Sequence, residues 1–240
     1  MNHREARRFA AIAAVGWACC AALAVDPPDL RINPASGLIE TVDATWSGSN
    51  YNVRYTVVNG AGQQSTSLLL STNSANDLDP RISISNAGDA VVAWWRDSAP
   101  GVLVYRKHAF TAGSWGAERT AGLATENNSR PRLAFAGDKL WVAYQIQYSK
   151  SRAIGAQIID DDPEPFRSIV ATTSYTGDLD LTLQFEAGHL WTTWIDTSQR
   201  VGYSEYVFQK GQWSVPAYES FATDSTAAAR LRIREMLLGY

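Results

Sequence analysis

Three stretches of this chain carry one pattern at a fixed interval. Gly88 leads into Val91-Val92-Ala93-Trp94, Gly137 into Trp141-Val142-Ala143-Tyr144, and Gly188 into Trp191-Thr192-Thr193-Trp194. Trp94, Tyr144 and Trp194 follow one another at 50-residue steps, and so do Val91, Trp141 and Trp191. A period of this length, carried by β-branched and aromatic residues, means that one supersecondary unit is copied and stacked. A single unit of this kind cannot bury its own apolar face.

The unit can be read strand by strand. Before each aromatic run lies an alternating one: Arg81-Ile82-Ser83-Ile84, Arg132-Leu133-Ala134-Phe135 and Leu179-Asp180-Leu181-Thr182-Leu183. After it comes a short apolar run: Val102 to Tyr105, Ala153 to Ala156 and Val201 to Tyr203. Val104 to Trp115, Gly155 to Phe166 and Gly202 to Trp213 are each 11 residues, a second internal distance that agrees across the copies. Period-two alternation punctuated by Asn, Asp and Gly predicts strands joined by tight turns. A fourth strand follows the Trp or Phe, as in Arg167-Ser168-Ile169-Val170-Ala171. Four antiparallel strands in this span predict the blade of a β-propeller, so the fold class is all-β. A sandwich has no reason to repeat its aromatic positions at equal spacing.

The predicted repeats run about 38–78, 79–128, 129–176 and 177–222, with a partial fifth at 223–240. In the first, Leu38 to Trp46, Tyr51 to Val58 and Ser65 to Ser71 read as strands, with Trp46 near the place of Trp94. The last segment is ambiguous. Arg230 to Ile233 and Met236 to Tyr240 fit two more strands, whereas Ala227-Ala228-Ala229 and the residues after it are also good helix formers. The strand reading is taken, which leaves half a blade and an open edge.

Residues 1–24 read as a secretory signal peptide. Arg4, Arg7 and Arg8 precede the apolar stretch Ala10 to Ala21, and Ala22-Leu23-Ala24 forms a small-residue cleavage site. Residues 25–37, with Pro27, Pro28 and Pro34, read as a linker, and 38–240 as the propeller domain. Both cysteines, Cys19 and Cys20, fall in the signal, so the exported chain folds without disulfides. Its expected location is secreted or periplasmic. Loss of Arg4, Glu5, Arg7 and Arg8 leaves 18 basic against 23 acidic residues, a formal charge of −5. That balance gives no reason to expect nucleic acid or, once the signal is gone, a membrane as partner.

Only His108 and His189 remain after the signal, both read as polar surface residues, and no cysteine remains. No metal, cofactor or catalytic residue is therefore predicted. The run Asp160-Asp161-Asp162-Pro163-Glu164 reads as a rigid solvated turn rather than a calcium loop. The repeated aromatics belong between blades, as core. The unrepeated Trp95 is the aromatic expected at the surface.

In a propeller the innermost strand starts on the same face as the loop between strands two and three. Asp79-Pro80-Arg81, Arg130-Pro131-Arg132 and Asp178-Leu179-Asp180 open the innermost strands, while Arg96-Asp97 and Asp196 lie in the loops. Arg81, Arg96, Asp97, Arg132, Asp180 and Asp196 are thus the candidate ligand-binding residues at the ring mouth. Arginines there would read carboxylates, and the cluster suits an anionic or polyhydroxylated ligand. For any single one of them, the competing reading is an ion pair that fixes a strand start.

Asp79-Pro80-Arg81-Ile82 through Gly88-Asp89 to Trp94, with the ends Ala112-Gly113-Ser114-Trp115 and Lys210-Gly211-Gln212-Trp213, resemble the repeats of sialidase-type (BNR, or Asp-box) propellers. The resemblance covers most of residues 38–220 and is one of blade construction. The box aspartate is absent, with Phe110-Thr111 and Phe208-Gln209 in its region, and no Phe-Arg-Ile-Pro motif occurs. For family enzymes it implies six blades, an arginine triad, a tyrosine nucleophile paired to a glutamate, and an aspartate acid/base. Arg81 and Arg132 would supply part of the arginine cluster.

The function expected is that of a binding module taking a carbohydrate, an anionic ligand or a protein at the ring mouth. The alternatives are a sialidase-like glycoside hydrolase, and a structural part that associates through its open blade edge.

Overall fold

The computed structural model describes residues 27–122, 126–159, 167–174, 179–195, 200–220 and 226–239. The segment read as a signal peptide, the 160–164 acidic run and Asp196 lie outside them. Two compact units result, one of residues up to Ala99 with Leu103–Thr120, the other of Pro100–Val102 with Ala121 onward. Each holds two antiparallel sheets.

In the first unit, blade I is β1 (Asp29–Ile32), β2 (Ile39–Trp46), β3 (Tyr51–Val58) and β4 (Gln64–Leu69), paired in that order. Blade II is β5 (Asn76–Ile84), β6 (Ala90–Asp97), β7 (Val102–Ala109) and β8 (Ser114–Trp115), with β9 (Arg119–Ala121) also paired to β7. In the second unit, blade III is β10 (Asn127–Ala136), β11 (Lys139–Gln147), β12 (Arg152–Ile158) and β13 (Arg167–Thr173). Blade IV is β14 (Thr182–Glu186), β15 (His189–Ile195), β16 (Arg200–Val207) and β17 (Gln212–Trp213), with β18 (Ala217–Ser220) also on β16. The all-β, propeller-like array of four-stranded blades read from the repeat is the architecture observed.

The repeated aromatics are core: Trp94, Tyr144 and Trp194 are fully buried, and Trp141 and Trp191 nearly so. Tyr144 pairs across the strands with Gly155, and Trp194 with Gly202. The ring lies flat over its glycine. A Cβ at Gly155 would meet the Tyr144 ring at 2.6 Å, and one at Gly202 would sit inside the Trp194 indole. Between blades III and IV, Trp141 packs on Tyr206 at 4.6 Å and on Trp213 at 6.0 Å, while Trp194 joins Leu181, Leu190 and Ile154 in the same core.

Four sequence readings need correction. The segment read as a linker contains β1, the innermost strand of blade I, paired in register from Asp29–Val42 to Ile32–Ile39. Pairing also shows that Trp46 does not replace Trp94. Asp43, opposite Arg54, holds the place that Tyr144 and Trp194 hold opposite their glycines. Arg54 grips it with Nε to Oδ1 at 3.0 Å and Nη2 to Oδ2 at 2.6 Å. Trp95 is half-buried with its indole nitrogen shielded, and Trp46 is the exposed tryptophan.

The fourth correction concerns the C-terminal segment, which is a helix, α1 (Thr226–Leu238), rather than half a blade. Ala229 and Ile233 pack with Val201, Tyr203 and Leu237. Val201 and Tyr203 stand on the face of β16 opposite Gly202, away from blade III. The i, i+4 stripe of α1 therefore covers apolar residues that another strand layer would otherwise have to cover. Arg230 donates to the Asp180 carbonyl at 2.6 Å, and Arg234 pairs with Glu186, Nε to Oε2 at 2.7 Å. The hydrogen bond from Arg234 holds the Glu186 carboxyl below its usual range.

Replacing Gly202 by Val must push the Trp194 indole aside, so a loss of about 1–3 kcal/mol is expected. Gly60→Ala, at a turn with open space around it, is expected to leave stability unchanged. Thermal unfolding of the two variants beside the parent checks both.

Candidate functional site

The start of β5 and the end of β6 form one end of blade II. Asn76 stands opposite Asp97, and Asp77 opposite Arg96. Asp77 is fully buried and takes both arms of Arg96, Nε at 2.8 Å and Nη2 at 3.1 Å, while Nη2 also reaches Glu118 at 3.1 Å. Burial opposes the Arg96 charge, but Asp77 and then Glu118 outweigh it and hold the guanidinium more firmly protonated than usual. Asp97 is exposed.

Past this end, β5 carries an irregularity that linear alternation hides. Leu78 pairs with Trp95 and Arg81 with Ala93, so one extra residue is inserted. Asp79 takes φ 48° although a proline follows it, a backbone state that a non-glycine residue adopts only when its surroundings enforce it. Blade III repeats the device, with Arg130 at φ 55° before Pro131 and a shift between Ser129 and Arg132. The bulge turns the later residues over. Arg81 thus stands on the opposite face of the sheet from Arg96, and it pairs with Asp79.

In the second unit, Arg132 donates from Nε to the Leu181 carbonyl at 2.7 Å and from Nη1 to the Pro131 carbonyl at 2.7 Å. It stitches the innermost strand of blade III to the chain entering blade IV. Asp180 is exposed and pairs with Arg230 of α1 at 3.1 Å. Of the six candidates, Arg96 and Asp97 share one strand end, Arg81 lies beyond the bulge, Arg132 is engaged by backbone carbonyls and Asp180 by the helix.

Among the described residues three tyrosines feel the charge of a glutamate, Tyr144 that of Glu126, Tyr55 that of Glu40 and Tyr203 that of Glu219, and the linear sequence shows none of these pairs. Tyr144 accepts a hydrogen bond from Arg167 Nε at 3.1 Å, and Arg167 forks onto Glu126. Tyr55 faces Glu40, whose Oε1 accepts from Asn33 Nδ2 at 2.6 Å. Burial raises the Tyr144 pKa against the pull of Arg167. Burial, then the charge and hydrogen bond of Glu40, raise that of Tyr55. Both phenols are sealed in and neutral, the reverse of what an attacking tyrosinate needs. The pairing register could have revealed both pairs, but the linear sequence does not state it. His189 opens β15 and pairs with Glu205 at 2.6 Å, while His108 lies half-buried against Trp115.

No protein-family model and no curated protein matches the chain. Solved structures do. An intramolecular trans-sialidase from Ruminococcus gnavus superposes with a TM-score of 0.61 at 8% identity, covering 82% of this chain and 70% of that one. The NanB sialidase from Streptococcus pneumoniae gives 0.58 at 9%, covering 84% and 52%. A protein of unknown function from Dyadobacter fermentans gives 0.58 at 13%, covering 81% and 53%. An exo-beta-1,3-galactanase from Phanerochaete chrysosporium gives 0.53 at 11%, covering 81% and 49%. The chain spans about half the length of most of these proteins. At such identities the likeness is one of fold, that of the sialidase and glycosidase propellers.

Arg96→Ala leaves the buried Asp77 carboxylate without its countercharge, with the Asn73 amide at 2.6 Å still donating to it, and is expected to cost about 3–5 kcal/mol, whereas Asp97→Asn should stay within about 0.5 kcal/mol. Denaturant unfolding separates the two. Alkaline titration followed at the phenolate band should show Tyr55 and Tyr144 silent until the chain unfolds. Their folded pKa values lie above the unfolded value of about 10, so they favour the fold fully below that pH and progressively less above it.

Proposed function

We propose that this chain is an exported carbohydrate-binding module built from degenerate sialidase-type blades. The observation that carries the proposal is the match of more than four-fifths of the chain to propellers described as sialidases and a galactanase. Binding rather than hydrolysis is favoured by the state of the tyrosines. Tyr55 and Tyr144, each near a glutamate, are buried and held neutral, and Tyr203, near Glu219, has its phenol raised by burial and its hydroxyl turned to Met236, none of which favours attack on a sugar. The ligand end proposed for the first unit is the start of β5 with the end of β6, where Asp97 is accessible and Arg96 fixes its strand through Asp77. Arg81, Arg132, Asp180 and Asp196 remain proposed contributors to recognition, with Arg132 also holding backbone. Export rests on the basic, apolar and small-residue order of residues 1–24.

Residues 25–240 applied to a glycan array should bind a subset of glycans, and incubation with 4-methylumbelliferyl sialoside and galactoside should release no fluorophore. Release of fluorophore by the purified chain would establish a hydrolase instead. An array without any signal would remove the carbohydrate reading.

A further inference from the structure

We propose that Trp46 and Tyr51 form a stacking platform for a neutral pyranose ring, with Asn76 and Asp97 at its polar edge. The inference rests on the carbohydrate reading above and narrows it to one place and one ligand class.

Trp46 ends β2 and Tyr51 begins β3 as its direct cross-strand partner. Their ring centroids lie 5.0 Å apart with the planes tilted by 60°. Trp46 is 50% exposed, the only exposed tryptophan among the described residues. Of the repeated tryptophans, Trp94, Trp141, Trp191, Trp194 and Trp213 are buried and Trp115 is half-buried, so Trp46 is set apart by position as well as by exposure.

The hairpin that presents the pair is firmly held. Ser47 N–H donates to the Asn50 carbonyl at 2.9 Å, and Ser47 Oγ donates to the same carbonyl at 2.9 Å. Buried Asn50 sends Nδ2 to the carbonyls of Asn73 and Ala75, both at 2.9 Å, and so ties the tip to the chain entering blade II. A platform fixed before binding loses little conformational freedom on contact.

Polar groups left unengaged surround it. Tyr51 N–H donates to Asn76 Oδ1 at 3.2 Å, and Asn76 stands opposite Asp97. Trp46, Tyr51, Asn76 and Asp97 thus form a connected row across blades I and II. Among the described residues no hydrogen bond or ion pair engages the Tyr51 hydroxyl, the Asn76 amide N–H groups or the Asp97 carboxylate. Nearby charges are otherwise paired: Asp43 with Arg54, Asp77 with Arg96, Asp79 with Arg81.

This combination suits one chemistry. A pyranose has an apolar C–H face that an indole covers, and edge hydroxyls that need both donors and acceptors. The unpaired Asp97 carboxylate repels an acidic sugar, and Arg96 is already held by Asp77 and Glu118, so the ligand is neutral.

The test uses residues 25–240 on an array of neutral galactose, glucose and mannose oligosaccharides with sialylated ones beside them. The neutral glycan that binds best is then titrated calorimetrically. Trp46→Ala is expected to weaken binding by about tenfold or more, and Trp46→Phe to retain most of it. Thermal unfolding of both variants should match the parent, since the side chain is at the surface. Unchanged affinity in Trp46→Ala, or binding confined to sialylated glycans, overturns the platform and leaves carbohydrate binding standing. An array without any signal overturns both.

Discussion

The constraint on which the second unit depends is a large ring laid across a residue that has no side chain. Tyr144 over Gly155 and Trp194 over Gly202 close the gap between strands two and three, and Trp194 extends into the space between blades III and IV. The choice of tryptophan carries a penalty. The indole N–H groups of Trp94, Trp191 and Trp194 find no acceptor, and an unmet buried donor costs about 1–3 kcal/mol. Burying an indole of about 150–250 Å² at about 25 cal/mol per Å² contributes roughly 4–6 kcal/mol, so size wins over hydrogen bonding at these positions. Blade I solves the same place with the opposite chemistry, a forked Asp43–Arg54 pair. The repeat conserves the volume to be filled and the strand register, while the residue type at one blade is free to change.

That distinction explains what could be read from the sequence. The strands of blades II, III and IV were legible because a buried aromatic recurs at the same register, and each miss has a physical cause. Asp29-Leu30-Arg31-Ile32 is only four residues long and follows two prolines, so its alternation is too short to register as a strand. Residue type alone places Trp46 near Trp94, but the cross-strand partner decides equivalence and assigns that place to Asp43. Arg230-Leu231-Arg232-Ile233 satisfies period two, but Ala229, Ile233 and Leu237 satisfy the helical spacing equally well. The arbiter is tertiary: Val201 and Tyr203 on β16 need an apolar cover that α1 supplies.

The candidate site was legible in a different measure. Sequence reasoning found the arginines and carboxylates at the strand starts, but composition cannot say which of them the fold itself occupies. Two bulges decide part of it. An extra residue at Asp79-Pro80 and again at Arg130-Pro131 inverts the faces of everything that follows, and no alternation rule reveals an insertion that leaves both flanking patterns intact. The equivalence of Arg81 and Arg132 survives, since each follows its bulge by the same step. Their partners differ: Asp79 for one, the Leu181 carbonyl for the other.

Several arginines of this chain are engaged by the fold itself. Arg54, Arg96, Arg167 and Arg234 each fork onto a carboxylate of a neighbouring strand or element, and Arg132 and Arg106 donate to backbone carbonyls. A chain without disulfides after residue 24 has reason to use its arginines this way, since bidentate pairs fix strand ends that cross-links would otherwise fix. Under the proposed function, recognition would fall to groups outside that lattice. They are not the most charged residues but the ones the packing leaves unmatched, an exposed indole, a phenol, an amide and one carboxylate in a row. A surface of this kind, apolar on one side and edged with donors and a single carboxylate, would select a ligand by shape and hydroxyl pattern more than by charge, as the proposed platform requires.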